Sequence, residues 1–279
     1  MEVSESLAAP VAEAEKAVQD ADYAHADETG WYEGKVDGHA KRAWLWVVVT
    51  AWVTVFRISH SRGSDVAKGL LGEGFSGILI TDRWCGYNWH ELMLRQLCWS
   101  HLTRDWQGFI DRQGESARIG ALLMKDRNRM FRWWRRVCDG AMQRAEFELR
   151  MEPVRRRVGR LLREAEFCPN AKTRGMAKEI LKLEAAMWTF VDIEGIEPTN
   201  NTAERTIRHG VMYRKTSFGT QSPEGSRFVE RILTAIATLK QQNRDVLEYL
   251  TDAVRAHRRG QPAPSLLPAD LYVHALHAA

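Results

Sequence analysis

The sequence predicts an α/β fold, and three observations carry that prediction. Segments rich in β-branched and aromatic residues crowd the chain between Ala24 and Cys98. From about Leu102 to Trp188 the apolar spacing is helical almost throughout. Between these regions lies GFSGILITDRW, a glycine-bounded apolar run that ends in Asp82, as a buried strand would.

The elements follow in order. Residues 1–20 are rich in Ala and Glu without a strong apolar face, so they predict a frayed helix or a tail. AHADETGWYEG predicts the first strand, GKVDGHAKR a turn, and AWLWVVVTAWVTVFRIS two more strands broken near Thr50–Trp52. SHSRGSDVAKGLLG predicts a short helix with Ser61 or Ser64 as N-cap and Gly72 as its stop. ILITD gives a fourth strand and Leu94–Cys98 a fifth. The helical block then includes KDRNRMFRWWRRV, a long helix ending near Gly159, and another over 172–190. A helix over Thr202–His209 follows. The next has Ser222 as N-cap, Pro223 at N1 and a buried stripe of Phe228, Val229, Ile232, Leu233 and Ile236. Asp245–Ala256 forms the last helix before a proline-rich tail.

With 44% apolar and 27% charged residues in 279, the chain can bury a sizeable core and is not a disordered one. A formal charge of +4 favours polyanionic partners only mildly. The excess is local, because cations outnumber acids roughly twofold between Arg104 and Arg163. Cys85, Cys98, Cys138 and Cys168 lack a disulfide-framework spacing, which predicts a reducing cytoplasm. The N-terminus lacks a signal-peptide pattern, and the apolar stretch at Ala43–Phe56 is too short to span a bilayer, so no membrane partner is expected.

Three carboxylates stand where strands and helices could bring them together. Asp27 lies on the first strand, Asp82 ends the fourth and Glu204 opens a late helix. Three such groups suit Mg²⁺, which takes hard oxygen ligands, and could hold two ions about 4 Å apart for phosphodiester displacement. Each has a plainer reading. Asp82 could simply form a turn, and Glu204, three residues after Asn201, could complete a helix cap. Glu28 adjoins Asp27, and alternation says only that the two face opposite ways.

Three stretches in this order resemble the catalytic region of the IS66-family transposases: HADETGW with AWLWVVVT, ITDRWCGYN with LCWSHLTRDW, and NNTAERTIRHGVMYRKTSFGT with EGSRFVERILTAIATLK. The resemblance runs from about residue 22 to the end, including Leu266–Pro268. It implies a ribonuclease H-like mixed sheet with helices on both faces, interrupted by a large all-helical insertion. The implied organisation is a tail over 1–21, the first part of the catalytic core over 22–104, the insertion over 105–190, the rest of the core over 191–257 and a C-terminal element over 258–279. Asp27, Asp82 and Glu204 take the catalytic and metal-binding positions, with Mg²⁺ as cofactor and Mn²⁺ able to substitute. Cys98, His101, Asn200 and Asn201 match the family signature. Arg205, Arg208, Arg214 and Lys215 beside Glu204 are expected to hold phosphates.

What the resemblance further implies is metal-dependent strand cleavage leaving a 3′-OH, followed by strand transfer, with transposon ends and target DNA as partners, a homo-oligomer on DNA and accessory proteins of the same element. The aromatic-basic stretch Phe131–Arg136 could stack on a base, although Trp133 and Trp134 also suit a helix-bundle core. Thr103 and Asp105 stand where the family has basic residues (HLTRDW for HARRKF), and His209 stands where proline is common. Complete members are longer and begin with DNA- and zinc-binding segments, so a truncated copy is expected. Two alternatives stay open: a catalytically impaired, non-enzymatic DNA-binding remnant, and another metal-dependent nuclease of the same fold.

Overall fold

The computed structural model describes residues 2–36 and 39–268. Five strands, β1 (Tyr23–Val36), β2 (His39–Val49), β3 (Thr54–Ser59), β4 (Ile78–Thr81) and β5 (Arg95–Leu97), form one mixed sheet in the order β3-β2-β1-β4-β5. Eleven α-helices accompany them among the described residues: α1 (Glu2–Ser6), α2 (Ala8–Gln19), α3 (Ser64–Leu71), α4 (Trp99–Asp111), α5 (Gly114–Cys138), α6 (Arg144–Ala165), α7 (Ala171–Leu181), α8 (Thr189–Asp192), α9 (Asn201–Ser217), α10 (Pro223–Gln241) and α11 (Val246–Arg258). The α/β class and the five predicted strands are therefore present. The centre of the expected GKVDGHAKR turn, and residues 269–279 of the C-terminal element, lie outside the described residues.

The chain divides into two compact units, one of Met1–Leu79, Cys85–Trp89 and Asn201–Ala279, the other of Ile80–Trp84 and His90–Asn200. In the first, β1, β2 and β3 form an antiparallel meander in which Asp27 pairs with Val47 and Val47 with Phe56. Trp31, Leu45, Val47, Phe56 and Ile58 bury one face of that meander against Ala203 and Ile207 of α9 and Val229 of α10. Gly210 makes the close approach of α9 work, since a Cβ there would come within 2.2 Å of Leu45 Cδ2. In a well-packed core no such overlap is absorbed cheaply.

Two sequence expectations need correction in this unit. Residues 2–19 are not a frayed tail. Leu7, Val11, Ala14 and Val18 are buried, and α2 packs on β3 and α3. Small alanines between Val11 and Val18 hide an apolar stripe that has the ordinary i, i+3, i+7 spacing. The N-cap of α3 is Gly63 rather than Ser61 or Ser64; the Ser61 hydroxyl instead accepts from the Gly63 N–H at 2.9 Å. Gly72 does close the helix, at φ 87°.

The larger correction concerns α10. Ser222 and Pro223 start it as expected, the Ser222 hydroxyl accepting from the Gly225 N–H. Its buried side, however, is the predicted apolar stripe only in part: Val229 is in the core and Leu233 packs against it. Phe228 is exposed, and the inward residues include Ser226, Val229, Glu230, Thr234, Ala235, Thr238 and Leu239. The reason is that β3 is an edge strand, whose free backbone groups must be paired or shielded. Thr238 Oγ1 accepts from the Thr54 N–H at 3.0 Å and donates to the Thr54 carbonyl at 3.0 Å. Thr234 Oγ1 accepts from the Phe56 N–H at 2.9 Å and Glu230 Oε1 from the Ile58 N–H at 2.5 Å. Four residues of helix rise about 6 Å, close to the ~6.7 Å of two strand residues, so the two periods stay in step across three bonds.

In the second unit α4, α5, α6 and α7 pack in sequence. The helix predicted to end near Gly159 runs on to Ala165, because Gly159 is a buried contact point rather than a stop: a Cβ there would meet the Glu184 carboxylate at 2.3 Å. The single helix expected over 172–190 is broken into α7, a 3₁₀ turn at Ala185–Met187 and α8. No helix among the described residues is long and apolar enough to cross a membrane.

Burial raises the Glu230 carboxyl to about 7, opposed by the Ile58 N–H bond and by Arg227 at 2.9 Å. A pKa higher in the folded than in the unfolded chain means that the folded state holds the extra proton between about pH 4.5 and 7. Stability from this group is therefore complete below about pH 4.5 and declines as pH rises toward 7. Urea unfolding across that window should show a loss of order 1–3 kcal/mol that Glu230→Gln removes.

Candidate active site

Alternation along β1 separates its two adjacent carboxylates, which have different neighbours. Glu28 shares its side of the strand with its cross-strand partner Trp46, and its side chain is almost wholly buried. Arg62 donates to Glu28 Oε1 through Nε and Nη2 at 2.9 and 2.7 Å, while the Tyr87 hydroxyl donates to Oε2 at 2.6 Å. Trp46 packs edge-on against the Tyr87 ring. Both Glu28 oxygens are thus engaged in a buried charge-assisted network, which fits a structural role.

Asp27 lies on the opposite side, the one it shares with Trp31, whose ring is buried in the core against α9. It is half-buried, and its Oδ1 accepts from the Glu28 N–H at 3.0 Å. Glu204 sits in the first turn of α9, half-buried, on the helix that packs against β1 and β2. A carboxylate there is favoured by the helix dipole. Asp27 and Glu204 therefore belong to the sheet face and the helix that share one core.

Asp82 directly follows β4, the neighbour of β1 in the sheet order. Its Oδ1 accepts from the Trp84 N–H at 2.8 Å, so the turn-forming reading is realised through one oxygen. Beside it Arg83 pairs with Asp105 at 2.7 Å. The departure at Asp105 from a basic residue therefore has a local partner, and Thr103 likewise accepts from Arg127 Nε at 3.1 Å.

The signature residues have a clear architectural part. The Cys98 N–H donates to the Thr81 carbonyl at 2.8 Å, immediately before Asp82. Its sulfur accepts from the Asn200 N–H at 3.2 Å, one residue before α9 begins. Trp99, the first residue of α4, adds a bond from its N–H to the Pro198 carbonyl at 2.9 Å. Cys98 therefore ties the end of β4 to the approach of α9. His101 sits one turn into α4, and its N–H bonds the Cys98 carbonyl at 3.0 Å. Cys98 and His101 both carry side chains of metal-ligating type.

The basic residues around Glu204 divide. Arg205, Arg208 and Lys215 are exposed on α9, as is His209. Arg214 is half-buried, and its Nη1 donates to the Gly30 carbonyl, fastening α9 to β1 beside the stacked Trp31–Tyr213 pair. That contact uses one of the five N–H donors of its guanidinium. The stretch Phe131–Arg136 is also absorbed: Trp134 packs on Phe147 and Phe190, Arg150 covers Trp133 and Arg127 covers Phe131. Those rings are occupied by protein rather than presented for base stacking.

Replacing Glu28 by Gln removes a buried carboxylate that takes charge-assisted bonds from Tyr87 and from the partly exposed Arg62. Chemical denaturation should show a loss of about 2–3 kcal/mol. A loss below about 0.5 kcal/mol would deny Glu28 its structural part.

A family model described as "Transposase IS66 family" matches residues 1–228. The match takes in residues 1–21, ahead of where the motifs begin, and stops short of Leu266–Pro268. A curated protein of Sinorhizobium fredii (strain NBRC 101917 / NGR234), named Uncharacterized protein y4qI, is 26% identical over an alignment of 257 residues that covers 82% of this chain and 46% of that protein. The chain thus spans about half the length of this curated relative. No solved structure matches it. With more than three-quarters of its residues inside the family match, the chain belongs to the IS66 transposase family.

Proposed function

We propose that this protein is a DDE transposase with a ribonuclease H-like catalytic core, and that Asp27, Asp82 and Glu204 bind the divalent cations that cut and join DNA. Family membership supports the reaction class, and the strand order β3-β2-β1-β4-β5 with an antiparallel β1–β3 meander supports the core. The single observation that carries the site is the division of labour on β1. Glu28 is engaged by Arg62 and Tyr87 on one side of the strand, while Asp27 is on the other, the side of Trp31 and of the core against which α9 packs.

Carboxylate oxygens and the preference of Mg²⁺ for hard ligands point to Mg²⁺, with Mn²⁺ as a substitute. When bound, the ions would supply electrostatic stabilisation of the attacking and leaving oxygens. The chain's own part is to hold its carboxylates on rigid elements, Asp27 on the paired strand β1 and Glu204 on a helix docked against it. Arg205, Arg208 and Lys215, exposed on the outer side of α9, are placed to hold phosphates of bound DNA. The substrates are transposon ends and target DNA, bound by a homo-oligomer with accessory proteins of the same element. The setting is a reducing cytoplasm in which all four cysteines remain thiols.

Supercoiled plasmid supplies the test. With Mg²⁺ or Mn²⁺ the protein should nick it, EDTA should stop the reaction, and Asp82→Asn or Asp27→Asn should slow it at least about 100-fold, since even loss of outer-shell support costs metal sites 10–100-fold. Equal nicking by variants and wild type would reject the proposed site.

A further inference from the structure

The α5 helix carries a charge pattern that the metal site does not explain. Lys125, Arg129 and Arg132 recur at i, i+4 and i+7 and line one groove of about 500 Å³ between α4 and α5. Ile110 and Met124 contribute apolar surface to it, and Asn128 lies between the cations. No acidic residue lines this groove. Other cations of the same unit divide: Arg104, Arg135, Arg136, Arg156 and Arg160 are exposed without an ion pair among the described residues but do not line this groove. Arg118, Arg150, Arg155, Arg157 and Arg163 are each paired with carboxylates at hydrogen-bonding distance. Lys125 and Arg132 are exposed and have no ion pair among the described residues, while Arg129 only leans toward Asp126 at 3.6 Å. That carboxylate is already held by Arg157.

Hydrogen-bonding capacity in the groove is equally one-sided. Lysine and arginine side chains only donate. The carbonyl oxygen of Asn128 is occupied by Arg127 Nη1 at 2.8 Å, which leaves the amide N–H groups for the groove. A surface dominated by donors, on a rigid helix, fits a row of anionic oxygens. From Lys125 to Arg132 the helix rises about 10.5 Å, the axial distance of about three nucleotides along one DNA strand. The apolar groove surface suits the sugars between phosphates.

We propose that this groove on α5 is a contact surface for the sugar–phosphate backbone of duplex DNA, separate from the residues around Glu204. The proposal rests on DNA being this protein's substrate, and it assigns the helical unit a direct part in holding it. Contacts of this kind position the duplex without reading its sequence.

The test measures binding of the full chain to a random-sequence 30-base-pair duplex by fluorescence anisotropy at several salt concentrations. Each phosphate contact contributes about 0.9 to the slope of log K against log salt, so Lys125→Gln with Arg132→Gln should lower its magnitude by about 1.8. Arg129 is left intact because it also faces Asp126, and glutamine preserves helix propensity. A control pair, Lys172→Gln with Lys178→Gln, removes the same charge from exposed positions on α7 and should leave the slope as in wild type. An unchanged slope in the α5 variant, or an equal fall in the control, overturns the proposal. So does an effect confined to binding of polyglutamate, which would assign the groove to an acidic protein. Nicking separates this inference from the one beneath it. A variant that nicks with wild-type slope removes only the groove, whereas a slope change in a protein that never nicks removes only the transposase reading.

Discussion

Everything in the sheet-bearing unit of this protein depends on the two-residue period of β1. Because successive side chains leave a strand on opposite sides, Asp27 and Glu28 cannot do the same work. Trp31, four residues after Asp27 and buried against α9, fixes which side is which. A one-residue slip in pairing would send Trp31 out of the core and exchange the two carboxylates. Ten cross-strand pairs with β2 and the packing of Gly210 on Leu45 resist that slip. The register that builds the core is therefore also the register that fixes which side of the strand each carboxylate takes.

Polar side chains do much of the structural work around this core. An edge strand is an open template for pairing, and α10 closes β3 with two threonines and a buried glutamate rather than with another strand. Cys98 plays a comparable part in the helical unit, where its backbone holds the residue before Asp82 and its sulfur the residue before α9. In both places hydrogen bonds to backbone set the position of an element that apolar packing alone would leave free to slide.

Strong local periodicity made the strands, the α10 cap at Ser222–Pro223 and the position of Asp82 at a strand end legible in the sequence. What stayed hidden depended on distant partners. Nothing near Glu28 announces Arg62 or Tyr87, so the choice between Asp27 and Glu28 could not be read from spacing. The buried face of α10 was misread because threonine and glutamate register as surface residues until an edge strand is placed beside them. Arg214 looked like its basic neighbours, and only the Gly30 carbonyl distinguishes it. The packed face of the N-terminal helices was missed for a different reason, since alanine contributes too little apolar contrast to mark a face.

The central claim is that β1 gives Asp27, and not Glu28, to divalent cations. Titration of Mn²⁺ into the protein, followed by the loss of the free-ion electron paramagnetic resonance signal, measures this without relying on turnover. Asp27→Asn should weaken Mn²⁺ binding at least about tenfold while Glu28→Gln retains the wild-type stoichiometry. Binding that survives Asp27→Asn and disappears with Glu28→Gln in a folded protein would contradict the account.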